Sequence, residues 1–324
     1  METMGKLIKM KVAIAGMRGL GVEIAKNLIL AGPNSVMLYD PDITRINDLG
    51  ANFYLEEKHV GKVSRAEACK EKLNELNPYV KVTVITDLEA AVKSGDLHVV
   101  CQTEMLLKDK HVGHSDLNKL CRENKVGYLG SQTFGPWGFA FVDYGDNHVV
   151  TDHNGEQTKN FVVSMIEKGE STLVTVHEDK RHIYEEGDFV TFREVEGMTE
   201  INESGPYKIT KTTPFTFTLD LNSSAFGDYA RQGTVENVKV PKPFPMHSWE
   251  QSFANPAAST AHGFMEPPDL AKFGRSEQLH AALFGIEQFV INNDKYPGNS
   301  DADRAECLKL ANAKLEELKA SGGH

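Results

Sequence analysis

The sequence lacks several features that mark particular classes of protein. It has four cysteines in 324 residues, and no two of them form a CxxC pair. This spacing argues against zinc ribbons and disulfide frameworks. No segment approaches the roughly 18–20 consecutive apolar residues that span a membrane, and the first ten residues lack the apolar core of a signal peptide. We therefore expect a cytoplasmic and nuclear protein without a membrane partner.

Positive charge is also scarce. Lys and Arg number 35 against 46 Asp and Glu, which gives a formal net charge of −11. Proteins that bind nucleic acid through its phosphates need clustered cations, so a nucleic-acid partner is not expected. Hydrophobic residues make up 40% and charged residues 25% of the chain. That composition is typical of a folded protein with two or three domains.

The first 130 residues alternate apolar runs with helical patterns, as a doubly wound α/β fold does. Strands are predicted at residues 10–16, 35–39, 80–86 and 98–103, and helices at residues 19–31 and 115–124. The predicted apolar stripe of the first helix consists of Leu20, Ile24, Leu28 and Ala31. The segment from Ser64 to Glu67 predicts the capped start of a further helix. We therefore expect a Rossmann-like, mostly parallel sheet.

From about residue 126 helical periodicity disappears. Alternating segments between residues 171 and 240 predict a small antiparallel β-barrel. After a connector at residues 241–268, two helices are predicted with apolar faces made of Leu279, Leu283, Ile286 and Val290, and of Leu308, Ala311, Leu315 and Leu318. Two such helices belong to a larger bundle. The predicted domains are residues 1–168, 169–250 and 251–324.

A glycine-rich turn stands between the first predicted strand and helix, where backbone N–H groups and the helix dipole can bind a phosphate. Its sequence is Gly16-Met17-Arg18-Gly19-Leu20-Gly21. In the fingerprint GxGxxG the middle glycine lets the backbone approach a pyrophosphate. Arg18 takes that position here and would project into the diphosphate space, so we interpret the turn as structural. The alternative is that Arg18 adds a charge-assisted contact to a bound phosphate.

Asp40 ends the second predicted strand, where dinucleotide-binding proteins hold a ribose with a carboxylate. This placement leaves an NAD-dependent Rossmann oxidoreductase open as an alternative. The histidines are scattered, however, and no second domain suited to hydride transfer follows, so neither a catalytic residue nor a metal site is assigned. Cys69 and Cys121 share predicted helix faces with apolar residues and are expected in the core.

Three collinear groups of segments resemble one family. GMRGLGVEIAKNLILAG and YDPDITRINDLGANFYLEEKHVGKVSRAEACKEKLNELNPYVKV resemble the first, inactive adenylation repeat of ubiquitin-activating enzymes. TDHNGEQ and GDFVTFREVEGMTEIN resemble the start of the family's first catalytic-cysteine half-domain. DLAKFGRSEQLHAALFGIEQF resembles the opening helix of its four-helix bundle. The resemblance covers nearly the whole chain and implies a ThiF/MoeB-type fold with an inserted barrel and C-terminal helices.

The resemblance also implies which chemistry is absent. In this family only the second adenylation repeat binds ATP and Mg and adenylates the ubiquitin C-terminus, so no cofactor is expected on this chain. Active members carry Asn-Leu-Asn-Arg-Gln-Phe after the second strand, and here Ala51 replaces the arginine that contacts ATP. Their catalytic aspartate aligns with Glu104. The positions assigned to a degenerate nucleotide loop are Gly16, Arg18, Gly19, Gly21, Asp40 and Lys62.

The implied function is that of a non-catalytic part of an ATP-dependent ligase. The family's thioester cysteine lies in another half-domain, so none of the four cysteines takes that role, and the chain alone is predicted to be inactive. Its implied partners are the active adenylation half and ubiquitin. A hypothetical ubiquitin-facing acidic segment contains Glu194, Glu196, Glu200 and Glu203.

Three questions stay open at this point. The acidic segment is alternatively a solvated loop. The chain is alternatively the regulatory subunit of an activating enzyme for another ubiquitin-like modifier. Self-association is a further hypothesis, because an obligate interface without its partner exposes apolar surface.

Overall fold

The computed structural model describes residues 2–104, 113–134, 137–152, 155–254, 276–293 and 295–320. The chain forms two compact units. The first comprises Met1–His148 with Pro245–His324, and the second comprises Val149–Phe244. Among the described helices, none has both the length and the apolar composition needed to cross a membrane.

The first unit is built on a six-stranded sheet. Its strands are β1 (Lys11–Ala15), β2 (Ser35–Tyr39), β3 (Lys81–Val84), β4 (Val99–Gln102), β5 (Gly127–Phe134) and β6 (Trp137–Asp143). The strand order is β3-β2-β1-β4-β5-β6, with the first five strands parallel and β6 antiparallel to β5. The predicted Rossmann-like, mostly parallel sheet is confirmed.

Helices and short 3-10 turns connect these strands. They are α1 (Glu2–Lys9), α2 (Gly19–Ala31), η1 (Ile46–Gly50), η2 (Glu57–His59), α3 (Arg65–Asn74), α4 (Leu88–Lys93) and α5 (His114–Glu123). The predicted cap of α3 is confirmed, because the Ser64 hydroxyl accepts a hydrogen bond from the Glu67 N–H at 3.2 Å. The periodicity did not predict α4, which is only six residues long.

The buried face of α2 differs from the predicted stripe. Its buried residues are Gly21, Val22, Ala25 and Ile29. The predicted residues are half-buried or exposed: Leu20, Ile24, Leu28 and Ala31. The helix sequence is apolar on most sides, so periodicity alone fits more than one face. The close packing of Gly21 under the preceding turn decides which face is buried.

The second unit is a closed antiparallel barrel, as predicted. Its strands are β8 (Asn160–Glu167), β9 (Thr172–Val176), β10 (Phe189–Arg193), β11 (Tyr207–Thr212), β12 (Thr216–Leu219) and β13 (Thr234–Val238), closed in the order β10-β11-β12-β9-β8-β13. A short helix, α6 (Glu200–Glu203), follows β10. Strand β8 precedes residue 169, so the barrel begins before the predicted domain limit. The exposed Val162 and Met165 interrupt the apolar alternation by which β8 could have been recognised.

A two-stranded ribbon stands at the ends of the second unit. Strand β7 (Val149–Val150) pairs with β14 (Lys242–Pro243) in antiparallel register. The pairing brings together the two chain segments that enter and leave this unit. The region predicted only as a connector therefore begins with a strand, and it continues in the first unit with α7 (Trp249–Ala254).

The described C-terminal part consists of two long helices, α8 (Ser276–Asn293) and α9 (Asp301–Ala320). They approach closely at Gly285, where an added Cβ would lie 2.9 Å from the Ala311 nitrogen. The predicted apolar faces are confirmed only in part. Val290 and Leu318 are buried, but Leu308 is 62% exposed. The close approach at Gly285 selects which side of α9 faces α8, and Leu308 lies outside that side.

Candidate functional site

The glycine-rich turn between β1 and α2 depends on two of its glycines for packing. Gly16 has a φ of +99°, and an added Cβ would lie 2.7 Å from Thr103 Oγ1. An added Cβ on Gly21 would lie 1.9 Å from the Gly16 carbonyl oxygen. At such distances a side chain would fit only if its neighbours shifted. Both glycines are therefore required by the turn itself, whether or not a ligand binds.

Arg18 occupies the middle of the turn and caps the start of α2 with its backbone. Its Nε lies 3.5 Å from Glu104 Oε1, an ion pair too long for a hydrogen bond. Its guanidinium lies 5.7 Å from the ring centroid of Tyr296, in the connection between α8 and α9. The side chain therefore lies over the carboxyl edge of the sheet, where the parallel strands end, and its contacts there are with the protein itself.

Ala51 and Gly19 also meet at this turn. An added Cβ on Gly19 would lie 3.2 Å from the Ala51 Cβ. The position at which the family resemblance predicts an arginine in active members is thus close to the first residue of α2. A methyl group here supplies no charge to a phosphate.

Asp40 lies just beyond the end of β2 and is engaged by its own protein. One carboxylate oxygen accepts hydrogen bonds from the Met17 N–H at 2.7 Å and from Arg65 Nε at 2.7 Å. The other accepts from Arg65 Nη2 at 3.0 Å and from the Asp42 N–H at 3.1 Å. Asp40 is buried. Its carboxylate therefore joins the glycine turn to α3 through Met17 and Arg65.

Arg65 is the centre of an ionic cluster that the sequence analysis missed. Its side chain is 1% exposed, and its guanidinium contacts Asp40, Asp42, Asp48 and Glu104 at distances from 2.7 to 3.5 Å. Burial alone would lower the pKa of Arg65, but the neighbouring carboxylates raise it above its usual value. One signal was available in the sequence. A cation in the first turn of a helix opposes the helix dipole and so indicates a carboxylate partner.

Glu104 closes the cluster on the side of the glycine turn. Its carboxyl group is 6% exposed and lies beside both Arg18 and Arg65. Burial and the negative charge of Asp40 raise the pKa of Glu104 to about 7, against the opposing effect of the two arginines. Arg65 thus contacts four carboxyl groups at this edge of the sheet, and Arg18 contacts one of these, that of Glu104.

The other predicted site residues lie apart from this cluster. Lys62 is exposed in the turn after η2, and no contact of the described residues joins it to Arg65. In the barrel, Glu196 forms an ion pair with Arg231 at 2.7 Å, and Glu200 accepts a hydrogen bond from the Gly227 N–H at 3.0 Å. Glu194 and Glu203 are exposed. The acidic segment is therefore partly engaged within the barrel.

The cysteines also lie where the sequence predicted. Cys69 and Cys121 are buried in the core of the first unit. Burial raises the pKa of the Cys69 thiol to about 11 and that of the Cys121 thiol to about 12. The same cause raises the pKa of Cys101 to about 12. These three thiols are almost entirely protonated at neutral pH and are poor nucleophiles.

Sequence comparisons agree with this architecture. The model of the ThiF family matches residues 1–200. Because it covers more than half of the sequence, the chain belongs to the ThiF family. The ubiquitin-activating enzyme E1 FCCH domain matches residues 169–239, and the ubiquitin-activating enzyme E1 four-helix bundle matches residues 240–314. This domain order is that of the N-terminal region of a ubiquitin-activating enzyme.

Individual relatives extend the match to nearly the whole chain. Ubiquitin-like modifier-activating enzyme 1 of Oryctolagus cuniculus and that of Homo sapiens are each 38% identical over 314 residues, which is 96% of this chain and 28% of each relative. Ubiquitin-activating enzyme E1 2 of Arabidopsis thaliana is 32% identical over 330 residues, which is 98% of this chain and 30% of that protein. The chain thus spans less than a third of the length of these relatives.

Proposed function

We propose that this chain is the non-catalytic N-terminal part of a ubiquitin-activating enzyme and supports the half that adenylates ubiquitin with ATP and Mg. The observation that carries the proposal is the occupation of the glycine turn by the protein's own groups. Arg18 and Glu104 lie over the turn, and the Met17 N–H donates to Asp40. The turn is retained for packing, and the nucleotide belongs to the partner half.

Electrostatics support this proposal. ATP carries several negative charges, and a phosphate site normally supplies N–H groups and cations in excess of acids. Here Arg65 contacts four carboxyl groups, and Arg18 contacts one of these, that of Glu104. A calorimetric titration of the chain with ATP and with NAD tests the point. We expect no heat of binding from either; tight binding of NAD would instead support the oxidoreductase alternative, which the engaged Asp40 disfavours.

The described surface supports a protein partner for the first unit. A shallow groove is lined by Pro41, Asp42, Ile43, Thr44, Arg45, Ile46, Val60 and Gly61. Ile43 and Ile46, which lie in this groove, are 47% and 62% exposed. Exposed apolar side chains in a groove mark interaction surfaces. We propose that the adenylating half covers this groove, and that without it the chain self-associates.

Reconstitution tests the scaffold function. The chain is mixed with a separately expressed adenylating half, and ubiquitin-dependent ATP–pyrophosphate exchange is measured. We expect exchange in the mixture and none with this chain alone. Ile46→Asp places a charge in the apolar groove and is expected to weaken association at least tenfold. The matched control is Tyr79→Asp. Tyr79 is 92% exposed and precedes β3, so it lies at the amino ends of the strands, whereas the groove follows the carboxyl end of β2.

Two outcomes would contradict these proposals. Exchange by this chain alone would refute the non-catalytic assignment. Equal losses with Ile46→Asp and Tyr79→Asp would refute the assignment of the groove. The expected place of action, the cytoplasm and nucleus, follows the proposed enzyme and is tested by imaging a tagged chain.

A contribution to ubiquitin binding is a second proposal, carried by the acidic segment of the barrel. Glu194 and Glu203 are exposed, whereas Glu196 and Glu200 hold contacts within the barrel. The pair Glu194→Gln and Glu203→Gln therefore removes charge without removing those contacts. We expect a slower, less salt-sensitive association with ubiquitin. The control pair is Glu71→Gln and Glu75→Gln on the first unit, and an equal effect of both pairs would contradict the proposal.

A further inference from the structure

A buried tryptophan anchors the segment that returns to the first unit after the barrel. Trp249 begins α7 and is 2% exposed. Its indole stacks on His114 at 4.5 Å and on Phe253 at 4.3 Å, with Phe141 edge-on at 5.0 Å. Its backbone N–H donates to Asn118 Oδ1 at 2.9 Å. The indole is therefore held firmly against α5 and the sheet.

Helix α8 reaches this indole through a buried acid. The indole Nε1–H donates to Glu287 Oε1 at 3.0 Å. Glu287 is 4% exposed, and no other described residue forms a hydrogen bond or ion pair with its carboxyl group. Phe289 and Val290 beside it on α8 are also buried. Among the described residues, this acid thus has one neutral donor and no cation partner, and it is enclosed where α8 docks.

Burial favours the uncharged forms of the described titratable groups that pack around Trp249 and Glu287 on α5, β5 and α8. On α5, burial lowers the pKa of His114 to about 3 and raises that of Cys121 to about 12. On β5, burial raises the pKa of Tyr128 well above its usual value, and the Glu287 charge adds to this rise. On α8 itself, burial lowers the pKa of His280.

The cations of α5 and α9, Arg122 and Lys314, have partners other than Glu287. Arg122 of α5 contacts both oxygens of Asp143 at 2.7 and 2.8 Å. Lys314 of α9 lies over the Phe284 ring of α8 and bonds to Glu317 at 3.1 Å and to the Ala254 carbonyl at 3.3 Å. In the described part of the cluster, Glu287 is a carboxyl group whose pKa of about 7 lies between pH 6 and pH 8.

We propose that the docking of α8 on the sheet is proton-linked through Glu287: the helix is held while this carboxyl carries a proton and is loosened when the carboxyl ionises. An ionised carboxylate with one neutral donor is costly to bury. Moving α8 outward returns the charge to water. Burial raises the pKa of Glu287 to about 7, against the lowering effect of the Trp249 hydrogen bond, which places the transition near neutral pH.

Hydrogen exchange of the full chain tests this proposal. Exchange of α8 peptides is compared at pH 6 and pH 8 after correction for the intrinsic rates. A carboxyl group that titrates near pH 7 when docked and near 4.5 when undocked weakens docking about tenfold over this interval. We therefore expect about tenfold lower protection of α8 at pH 8, with the barrel strands β8 and β9 as an internal control.

Two variants identify the group responsible. Glu287→Gln keeps the Oε1 acceptor and cannot ionise. The ratio of α8 protection at pH 6 to that at pH 8 should therefore fall to about one. Trp249→Phe keeps an aromatic ring and removes the donor that favours ionisation, so the midpoint should move to higher pH. Equal protection of wild-type α8 at pH 6 and pH 8 would overturn the proposal, as would a Glu287→Gln variant that keeps the wild-type ratio. The readout involves neither ubiquitin nor nucleotide.

Discussion

The carboxyl edge of the sheet and the interior of the barrel stabilise the chain by opposite means. At the edge, Arg65 is fully buried among Asp40, Asp42, Asp48 and Glu104. In the barrel the buried core is apolar and includes Val174, Val190, Ile209, Phe217 and Leu219. The edge therefore depends on charge pairing, and the barrel depends on the close packing of apolar side chains.

The ionic cluster at the edge and the apolar core of the barrel contribute differently to the free energy of folding. A buried ionic cluster gains little net free energy, because desolvation of the charges offsets their attraction. It does fix which groups meet, and here it joins the glycine turn, β2 and α3. The barrel core gains free energy in proportion to the apolar area removed from water. We therefore infer that the ionic cluster preserves the geometry of a nucleotide-binding fold at the edge of the sheet. The barrel, by contrast, is stabilised by the burial of its apolar side chains.

Removing the buried cation, Arg65, is expected to have the largest effect on the free energy of unfolding. Arg65→Met leaves four carboxyl groups without their central partner and should destabilise the first unit by about 4 kcal/mol. Arg231→Met is the matched control, because Arg231 forms an ion pair on the exposed barrel surface. We expect no measurable change for the control. Urea unfolding followed by hydrogen exchange of β1 and β9 distinguishes the two units, and equal effects would break the comparison.

A cavity in the barrel is expected to cost somewhat less. Leu219 of β12 is fully buried, and Leu219→Ala should lower the free energy of unfolding of the barrel by about 3 kcal/mol through lost transfer energy and an unfilled cavity. Lys208→Ala changes an exposed residue of β11 and serves as control. A loss below about 1 kcal/mol for Leu219→Ala, measured by urea unfolding, would show that the barrel does not rely on its packing.

The glycine turn provides a smaller and sharper test. Gly21→Ala forces a Cβ against the Gly16 carbonyl and should cost about 2 kcal/mol by overpacking. Gly50→Ala meets nothing within 4 Å and should leave stability nearly unchanged. Both are measured by urea unfolding of the ligand-free chain. If Gly21→Ala were as stable as Gly50→Ala, packing would no longer explain why the glycine is present.

The smallest expected effect is the change of stability with pH that arises from the ionic cluster at the carboxyl edge of the sheet. Unfolded, Glu104 is ionised throughout pH 6–8; folded, its pKa of about 7 means that it holds a proton until the pH passes that value. The folded state therefore binds more protons, and stability falls as the pH rises. Glu104→Gln should therefore reduce the loss of unfolding free energy between pH 6 and pH 8 by about 1 kcal/mol. Glu71→Gln on the exposed face of α3 should leave the loss unchanged in parallel urea titrations.

Some of the site could be predicted from the sequence. The interrupted glycine pattern placed Arg18 at the turn, and the strand end placed Asp40 near it, because both follow from local spacing along one βα unit. Arg65 and Asp48 could not be found in this way. They lie 25 and 8 residues beyond Asp40, and Arg65 meets both Asp40 and Asp48 only because the chain folds back after β2.

The pairing of Trp249 with Glu287 was also beyond sequence reasoning. An acid in an apolar helix looks like a surface position, and nothing local shows that an indole lies opposite it. The predicted apolar face of α2 was wrong, and those of α8 and α9 were confirmed only in part, for a related reason. The sequence of α2 is apolar enough that periodicity fits several faces, and on α9 the close approach at Gly285 of α8 decides which side faces inward.

The sequence by itself determined the classes of element, the parallel sheet, the barrel and the loss of the middle glycine. These are set by short-range periodicity, turn chemistry and residue identity. Only the tertiary structure decided that Arg65 is enclosed by four carboxyl groups, that Arg18 faces Glu104, and that Glu287 is buried against Trp249. Each of these contacts joins residues far apart in the chain, and the cost of burying a charge depends on which partners the fold brings to it.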